Sequence, residues 1–439
     1  MITELPKNWI ETNLGTVTTK PQYGWTTKSQ NFGDYKYLRT TDIGKGNIKW
    51  DEVPFCVDLP KNLDDYILSK NDIVISRAGS IGFSYLVEEI ESNVLYASYL
   101  IRFKPLIYPK LISYFLQSNS YWKAVSDSAV GIAVKNINAP KLQSIPFPLP
   151  PLPEQERIVA KLDALFAQHE AMKNALKRIP QLLKDFRQQV LRQAITGRLT
   201  EKLRMEKNTH KWEEINFESI MIGTPKNGAY YPRNQYGSGT KIIRIDNFYD
   251  GKLKDWEVVQ KVEIPEKDKE FYKLETDNIL INRVNSIEYL GKCMLVEKIH
   301  EDAIFESNMM RIILNKNKVS PQFIKTFLVS PLGLKELKKN AKNAVNQASI
   351  NQQDIKNVRI NLPPLKEQQE IVSRVESLFA KADTIEKYYK TLKEKIDSLP
   401  QAILHKAFKG ELVPQLPTDG DAKDLLEEIL KLKKELKKK

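Results

Sequence analysis

The stretch LPPLPEQ at residues 149–155 occurs a second time, as LPPLKEQ at residues 362–368, 213 positions later. Prolines at this density exclude a helix and the centre of a sheet, because proline lacks the backbone N–H that both need. In both places the prolines end where a long segment with helical spacing begins. The stretch therefore predicts a boundary between a globular part and a long helix, and it predicts that boundary twice.

On both sides of these two boundaries the first half of the chain resembles the second half, and the similarity extends over nearly all 439 residues. The offset is 203 at Trp9 and Trp212, 206 between residues 72–81 and 278–287, and 213 at the proline-rich stretches. The order is kept and the offset only grows, so we expect about ten extra residues in loops of the second copy, where insertions cost little. The chain is predicted to be an internal pseudo-twofold repeat.

The first part of each copy, about 150 residues long, contains short β-type runs separated by glycine and asparagine. In the first copy these runs include residues 35–38, 73–76 and 99–103. A helix is predicted over residues 109–125, with proline in its first turn. The pattern is typical of a small mixed α+β domain.

The second part of each copy is a long helix with a narrow apolar stripe. The apolar residues from Ile158 to Ala194 and from Ile371 to Ala407 are spaced alternately by four and three, which is the a/d seam of a coiled coil. One helix alone cannot bury so narrow a stripe in water, so we expect the two helices to pair within the chain. If a pseudo-twofold axis relates the copies, the helices run antiparallel.

Two prolines and two glycines punctuate these helices. Pro180 and Pro400 interrupt the seams once each and are expected to kink or break the helices. Gly197 and Gly410 follow the last seam residues and are expected to end the helices as C-terminal caps.

The composition excludes several classes of protein. Lys and Arg total 68 against 55 Asp and Glu, and the resulting net charge of +13 favours an anionic partner. The sequence contains no run of eighteen apolar residues, so it predicts no membrane span, and its N-terminus does not have the pattern of a signal peptide. Two cysteines without a CxxC pair and four scattered histidines predict neither a disulfide framework nor a zinc site. We therefore expect a cytoplasmic protein that does not enter a membrane.

With these features the chain resembles the DNA-specificity subunits of type I restriction–modification systems. The resemblance rests on the LPPLxEQ boundaries, the paired helices, and the closing segments AITGRL at residues 194–199 and AFKGEL at residues 407–412. It implies a non-catalytic subunit that reads a bipartite target in double-stranded DNA. It also implies two methyltransferase subunits docked on the helices and two restriction subunits further out. No cofactor is expected in this chain, whereas S-adenosylmethionine, ATP and Mg are expected in the partner subunits.

The resemblance implies an α+β architecture of two mixed α/β target-recognition domains separated by two long helices that pair as an antiparallel coiled coil. The expected parts are a first recognition domain at residues 1–149, a helical spacer at 150–205, a second recognition domain at 206–362, a second coiled-coil helix at 363–413 and a basic amphipathic tail at 414–439. The second copy departs from the first where Asn285 replaces Gly79 and residues 288–290 are inserted before Gly291, as two different DNA sequences would require.

Motifs of catalytic subunits are missing. The sequence has no GxxxxGK[ST] loop for a nucleotide and no Pro-Asp dipeptide to anchor the common metal-dependent nuclease pattern. Residues 361–365 (NLPPL) approach the amino-methyltransferase signature but lack its aromatic residue. A self-contained nuclease or methyltransferase is therefore disfavoured.

Candidates for DNA contact are basic, amide, hydroxyl and aromatic side chains on loops that adjoin predicted strands. In the first copy they are Trp25, Thr27, Lys28, Arg39, Thr40, Arg77, Ser80 and Lys135. In the second copy they are Tyr231, Arg233, Asn234, Arg244, Asn247, Arg283, Asn285, Ser286 and Gln347. The alternative for each arginine is an internal ion pair. The loops at residues 23–28 and 230–235 take comparable positions with unlike sequences, which is where two different half-sites would be read.

Two further features have alternative interpretations. His169 falls on the apolar seam where the other helix has Ala382, and we expect a packed or half-exposed histidine rather than a ligand or a switch. The tail at residues 423–439 predicts a short amphipathic helix for partner docking or phosphate attraction, or else a solvated, frayed end.

Two other functions remain open at this point. One is the specificity subunit of a fused restriction–methylation system of another type, which the neighbouring genes would distinguish. The other is a coiled-coil scaffold that joins two protein-binding domains. Affinity for duplex DNA that falls steeply with salt would favour a DNA reader over the scaffold.

Overall fold

The structure is a computed structural model that describes residues 5–44, 48–90, 93–128, 136–207, 212–249, 251–344, 347–436 and 438, without the side chains of 207, 343 and 344. The chain divides into two compact units. The first comprises Met1–Leu176 and Thr391–Lys439, and the second comprises Lys177–Lys390. Each unit therefore combines one globular repeat with parts of the long helical segments.

The first unit begins with ten strands and five helices. The strands are β1 (Ile10–Asn13), β2 (Gln22–Tyr23), β3 (Ser29–Gln30), β4 (Lys36–Leu38), β5 (Phe55–Cys56), β6 (Ile73–Ser76), β7 (Ser84–Leu86), β8 (Val94–Tyr96), β9 (Leu100–Phe103) and β10 (Pro146–Leu149). The helices are α1 (Thr40–Ile43), α2 (Pro109–Phe115), α3 (Asn119–Ser128), α4 (Ala139–Gln143) and α5 (Leu152–Leu176). These counts refer to the described part of the chain.

The second unit repeats this order with additions. Its strands are β11 (Glu213–Asn216), β12 (Lys226–Asn227), β13 (Tyr236–Ile243), β14 (Phe248–Tyr249), β15 (Lys252–Leu253), β16 (Lys261–Val262), β17 (Ile279–Asn282), β18 (Val284–Asn285), β19 (Cys293–Leu295), β20 (Ala303–Phe305), β21 (Met309–Ile312), β22 (Lys342–Ala344), β23 (Gln347–Ser349) and β24 (Arg359–Leu362). Its helices are α6 (Ile179–Ile195), α7 (Glu201–Lys207), α8 (Glu266–Tyr272), α9 (Pro321–Val329), α10 (Pro331–Lys338), α11 (Gln352–Lys356) and α12 (Leu365–Phe408), whose residues from 391 onward belong to the first unit. The last helix, α13 (Ala422–Leu436), also belongs to the first unit.

Sheet topology confirms the internal repeat. The antiparallel order β2-β9-β6-β7 of the first unit corresponds to β12-β21-β17-β19 of the second. The parallel pair β4–β8 corresponds to β13–β20, and the pair β1–β10 corresponds to β11–β24. The central strands β6, β9, β17 and β21 are buried along their whole length, and β9 and β21 each bury an arginine, Arg102 and Arg311.

The proline-rich boundary is an edge strand followed at once by a helix. Pro146 and Pro148 lie in β10, which pairs only with β1 among the described strands. A strand with one neighbour tolerates a missing N–H that faces away from its partner. The helix α5 then begins at Leu152.

The single helix predicted over residues 109–125 is wrong, because the segment forms α2 and α3. Ser118 separates them: its hydroxyl donates to Phe115 O at 2.7 Å and accepts from Tyr121 N at 3.3 Å. Ser330 does the same between α9 and α10, where its hydroxyl accepts from Gly333 N at 3.0 Å. In both repeats a serine cap starts a second helix, and in the first repeat it does so inside the segment predicted to be one helix.

A buried glutamine joins each long helix to its globular repeat. In the first unit Gln155 Nε2 donates to Pro150 O at 2.8 Å, and its Oε1 accepts from Tyr108 N at the start of α2, at 3.2 Å. In the second unit Gln368 donates to Pro363 O at 2.8 Å and accepts from the backbone N of Ser320, the cap of α9, at 2.8 Å. The LPPLxEQ stretch thus orients the helix relative to the domain.

The glutamate that precedes each glutamine is also buried, but its partners differ between the units. Glu154 accepts from Trp9 Nε1 at 2.9 Å and from Gln415 Nε2 at 3.0 Å. Glu367 accepts from Thr200 Oγ1 and from Arg204 Nη1, each at 2.6 Å. In both units this carboxylate ties the start of one long helix to the segment that follows the end of the other.

The ends of the helices are part of the domain cores. In the first unit Ile158 and Leu162 of α5 share a core cluster with Leu404, Ala407 and Phe408 of α12. In the second unit, helix α9 shares a core cluster with the long helices, to which α6 contributes Val190, Ala194 and Ile195 and α12 contributes Ile371 and Val375. Gly197 and Gly410, with φ values of 74° and 75°, follow the helix ends as left-handed caps.

The two seam prolines have different outcomes. Pro180 lies in the first turn of α6, after a break at the end of α5. Pro400 lies inside α12, which continues through it. Pro400 cannot donate to the carbonyl of Ile396 four residues earlier, and this carbonyl contacts His169 Nε2 of α5 at 3.0 Å instead. His169, which is buried as expected, therefore replaces the hydrogen bond that the proline removes.

The tail is docked on the first unit. Ile429 of α13 is buried in the core of that unit, with Leu425 and Leu426 packed against the same cluster. Lys433 Nζ donates to carbonyl oxygens of the segment between β1 and β2, including that of Thr18 at 2.8 Å. The N-terminal half of its apolar face is therefore covered by the chain itself, whereas Leu432 and Leu436 at its other end are exposed.

We predict that His169→Ala lowers the free energy of unfolding by about 1–3 kcal/mol, because it leaves the buried Ile396 carbonyl without a donor. In a Pro400→Ala background the helix supplies its own N–H to that carbonyl, so the same substitution should cost less. Denaturant unfolding of the four proteins of this cycle measures the coupling. Equal costs of His169→Ala in both backgrounds would contradict the replacement.

Candidate nucleic-acid interface

In the first unit, Arg77 projects from the end of the buried strand β6. Its guanidinium lies 5.0 Å from the ring centroid of Tyr23, and its Nε donates to Asn136 Oδ1 at 3.3 Å. Its backbone donates to Tyr99 O at 2.9 Å and accepts from Ile137 N at 3.0 Å. The half-buried side chain is thus held in place by neighbours from three other segments.

Two further candidates lie beside this loop. A Cβ added at Gly79 would lie 3.8 Å from Thr40 Oγ1, and one added at Gly44 would lie 3.1 Å from Ser80 Oγ. The start of α1 and the loop after β6 therefore meet. The structure brings together Thr40, Arg77 and Ser80, which the sequence had placed in separate motifs.

The remaining candidates of the first unit serve internal contacts or are exposed. Trp25 Nε1 donates to Asp58 O at 3.0 Å, and Thr27 Oγ1 accepts from Asp58 N at 3.0 Å. Arg39 makes a two-point ion pair with Asp42, at 2.9 and 3.0 Å. Lys28 is exposed. Lys135 lies outside the described residues.

In the second unit, the backbone of Arg283 repeats the pattern of Arg77. It donates to Asn308 O at 2.8 Å and accepts from Ile350 N at 2.8 Å. Its Nη1 donates to Ser307 O at 3.1 Å. The two arginines occupy equivalent positions in the two repeats.

Three more candidates cluster next to Arg283. Asn285 lies in β18, which pairs with the strand β23 that begins at Gln347. The side chain of Asn285 accepts from Ser286 N at 2.8 Å, and Gln347 is exposed. The structure thus joins two segments that are about sixty residues apart in the sequence.

Arg244 lies on the wall of a cavity of about 540 Å³. Its Nη1 donates to Gln260 Oε1 at 3.1 Å, and its Nε is 3.5 Å from Glu306 Oε2. Asn247 is buried, and its side chain accepts from Arg244 N at 2.8 Å, so it serves the turn and is not presented on the surface.

The segment 229–236 forms the rim of the same cavity. Tyr231 also lines it and donates its hydroxyl to Asp268 Oδ2 at 3.0 Å, and burial together with this carboxylate raises the pKa of Tyr231. Arg233 and Asn234 are exposed, and Arg233 lines the cavity. Tyr230 is 80% exposed beside it.

Two glycines show how the polar-aromatic loops correspond. A Cβ at Gly24 would lie 2.2 Å from Tyr96 O, and a Cβ at Gly228 would lie 2.2 Å from Glu306 O, so backbone packs closely at both. These glycines are 204 residues apart. The matched positions are therefore Trp25 and Ala229, and the tyrosine-rich loop is displaced by about three residues from the position that the sequence comparison gave it.

Sequence reasoning missed several residues of these surfaces. They are Tyr99 in the first unit and Gln260, Glu306 and Asn308 in the second, whereas Tyr23 and Tyr230 lie in the loops that the sequence had indicated. Two of these residues have a sequence position that could have identified them. Tyr99 is 58% exposed between the buried strands β8 and β9, and Glu306 follows a buried strand at the position where the first repeat has Ala97.

Other classes of site are not found in the described part of the chain. It contains no group of three or more His, Cys, Asp or Glu side chains that could hold a metal ion. Burial raises the pKa of Cys56 to about 11 and that of Cys293 to about 12, so both thiols are protonated at neutral pH. Among the described helices, none combines the length and the apolar character that crossing a membrane requires.

Comparison with known proteins identifies relatives of the whole chain. The family model of the type I restriction modification DNA specificity domain matches residues 6–181 and 210–394. The chain is 34% identical over 430 residues to the type I restriction enzyme EcoKI specificity subunit of Escherichia coli (strain K12), covering 94% of this chain and 91% of that protein. It is 32% identical over 429 residues to the type I restriction enzyme StySPI specificity subunit of Salmonella potsdam, with coverage of 94% and 91%.

Two solved structures share the fold. The HsdS subunit from Thermoanaerobacter tengcongensis matches with a TM-score of 0.63 at 17% identity, covering 93% of this chain and 98% of that one. A chain from a structure of type I R-M system assembly and conformational transition matches with a TM-score of 0.64 at 17% identity, covering 93% and 100%. At this identity the likeness concerns the fold alone, which consists of two repeated domains of mixed α/β content with long helices.

Proposed function

Because the chain belongs to the family of type I restriction–modification DNA specificity subunits, we propose that it reads a bipartite double-stranded DNA target and docks the methyltransferase and restriction subunits of such a complex. The family membership confirms the prediction that the chain is a specificity subunit and not a catalytic one. The observation that carries the bipartite target is the repeat itself. Two copies of one topology each place an arginine after a buried central strand, on loops of different sequence.

Each recognition domain is proposed to read one half-site. A homodimeric DNA reader repeats its recognition surface by symmetry, whereas a duplicated chain can let the two surfaces diverge. The frame around Arg77 and Arg283 is the same, while the adjoining loops differ in length and composition. The proposed contacts are the exposed and half-buried candidates, with Asn247 left out because its side chain is used internally.

The long helices are proposed to pair as an antiparallel coiled coil that spaces the half-sites and receives the partner subunits. In the first unit, Ile158 and Leu162 near the start of α5 share a cluster with Leu404 near the end of α12. Further along α5, His169 contacts Ile396, earlier in α12. Positions that advance on one helix and recede on the other are what antiparallel packing requires.

The second unit gives the same sense of packing. Arg187 Nη2 contacts Asp383 Oδ1 at 2.7 Å and Glu386 Oε2 at 2.9 Å. Val190 and Ala194, later in α6, share a core cluster with Ile371 and Val375, which lie earlier in α12.

We expect two methyltransferase and two restriction subunits as partners. S-adenosylmethionine, ATP and Mg would be bound by those subunits, and the complex would act in the cytoplasm.

Exchange of residues 12–145 for the corresponding domain of a relative tests the bipartite reading. The exchange should change one half of the methylated sequence and leave the other half and the spacer intact, because the second recognition domain is untouched. Methylation sequencing of cells that carry the hybrid with its partner subunits measures this. A change in both halves would contradict one domain for one half-site.

We predict that Arg77→Ala and Arg283→Ala each weaken discrimination at one base pair by about 1–3 kcal/mol, if each arginine donates to guanine through two hydrogen bonds. The two substitutions should affect different half-sites. Arg359→Ala, which removes a 65% exposed arginine of β24, is the matched control and should leave the target unchanged. Binding competition among mutated duplexes gives the effect at each position, and uniform weakening on all duplexes would assign a phosphate contact instead.

Lengthening both helices by one heptad tests the spacing role. Insertions between residues 176 and 177 and between 390 and 391 fall at the division between the units and leave the contacts within each unit in place. Seven residues add about 10.5 Å of helix, which corresponds to about three base pairs of B-DNA. The unspecified spacer should grow accordingly with unchanged half-sites, whereas a heptad inserted in one helix alone should abolish methylation. An unchanged spacer in the double insertion would show that the helices do not set the distance.

A further inference from the structure

The cavity of the second recognition domain has a buried carboxylate in its wall. Glu306 follows β20 and is 9% exposed. Its Oε1 accepts from Ile245 N at 2.6 Å, and its Oε2 lies 3.5 Å from Arg244 Nε. Burial raises the pKa of Glu306, while the Ile245 amide and Arg244 oppose this shift and favour the charged form.

The first repeat arranges the same charges differently. Its equivalent arginine, Arg39, pairs with Asp42 three residues further along the same turn. In the second repeat Asn247 takes the position of that aspartate, keeps its hydrogen bond to the backbone of the turn and carries no charge. The carboxylate that faces the arginine comes from Glu306 instead, where the first repeat has Ala97.

The backbone shows that Ala97 and Glu306 are equivalent. Ala97 N donates to Leu38 O at 2.8 Å, and Glu306 N donates to Ile243 O at 3.0 Å. A turn aspartate would have been enough to neutralise the arginine, as it does in the first repeat. In the second repeat the carboxylate comes from Glu306 and therefore lies in the wall of the cavity. Neutralising the arginine alone does not require a carboxylate at this place.

The cavity presents both donors and an acceptor at its surface. Arg244, Gln260 and Asn308 supply donors, Glu306 supplies the carboxylate, and Tyr230 and Tyr236 flank them. The side chain of Arg244 is 38% exposed, and its Nε faces Glu306 Oε2. A partly exposed guanidinium beside a carboxylate in the wall of one cavity points to a ligand with both acceptor and donor groups.

We propose that Arg244 and Glu306 together read one guanine–cytosine pair of the half-site of the second domain. Arg244 donates to the guanine edge, and Glu306 accepts from the cytosine amino group. This pairing of side chains with base edges follows from the major-groove pattern, in which guanine offers two acceptors and cytosine one amino donor. The inference rests on the proposed function of this domain. The first domain, which has Ala97 at the equivalent position, is then expected to read a different base pair.

The test uses the full chain with the partner subunits of its own system, and it maps methylated sites for Glu306→Gln and Arg244→Lys. Glu306→Gln keeps the shape of the side chain but replaces a carboxylate, which only accepts hydrogen bonds, with an amide that also donates. Arg244→Lys keeps the positive charge but cannot form the bidentate hydrogen bonds of a guanidinium. Each should reduce discrimination at the same single position of the second half-site by about 5- to 150-fold. The first half-site and the spacer should stay unchanged.

Glu301→Gln is the matched control, because it removes an exposed carboxylate of the same unit that pairs with Lys261 at 2.9 Å outside the cavity. It should leave the methylated sequence unchanged. The melting temperature of each variant shows whether the substitution affects only the stability of the fold. A lowered melting temperature with an unchanged target in both Glu306→Gln and Arg244→Lys would overturn the inference, and so would a change at two different positions or in the first half-site. A wild-type complex that methylates no defined sequence would refute the proposed function itself.

Discussion

The constraint on which the structure depends is the buried Glu-Gln pair at the start of each long helix. Gln155 and Gln368 each satisfy a carbonyl of the preceding prolines and the backbone N–H of the residue that caps a domain helix. Leaving any of these buried groups unpaired would cost about 1–3 kcal/mol, so one orientation of helix and domain is strongly favoured. The prolines alone would give a boundary, but the glutamine makes that boundary rigid.

The glutamates beside them extend the constraint to the other helix. Glu154 and Glu367 keep the same role with different donors, a tryptophan and an amide in one unit and a hydroxyl and a guanidinium in the other. A carboxylate has several acceptor sites, so it can be satisfied by unlike donors without moving. Such tolerance lets the frame persist while the two copies diverge in the surrounding loops.

Divergence is concentrated where contact with DNA is proposed. Arg77 and Arg283 have the same backbone contacts, yet one guanidinium is held by a tyrosine and an asparagine and the other by a carbonyl. Arg39 and Arg244 keep their place while the acidic partner moves from the turn to the cavity wall. A common frame with exchanged side chains is how one fold can present two different sets of donors and acceptors.

The repeat, the strand-to-loop position of both arginines and the long helices could be predicted from the sequence, because they depend on local spacing and on comparing the two copies. The gap between α2 and α3 was missed because a serine cap interrupts a pattern that apolar spacing alone reads as continuous. The partnership of Glu306 with Arg244, the docking of α13 and the contact of His169 with the carbonyl that Pro400 leaves free were decided by the tertiary structure. Each joins residues from 62 to several hundred positions apart, and no spacing rule specifies which distant donor reaches a given buried acceptor.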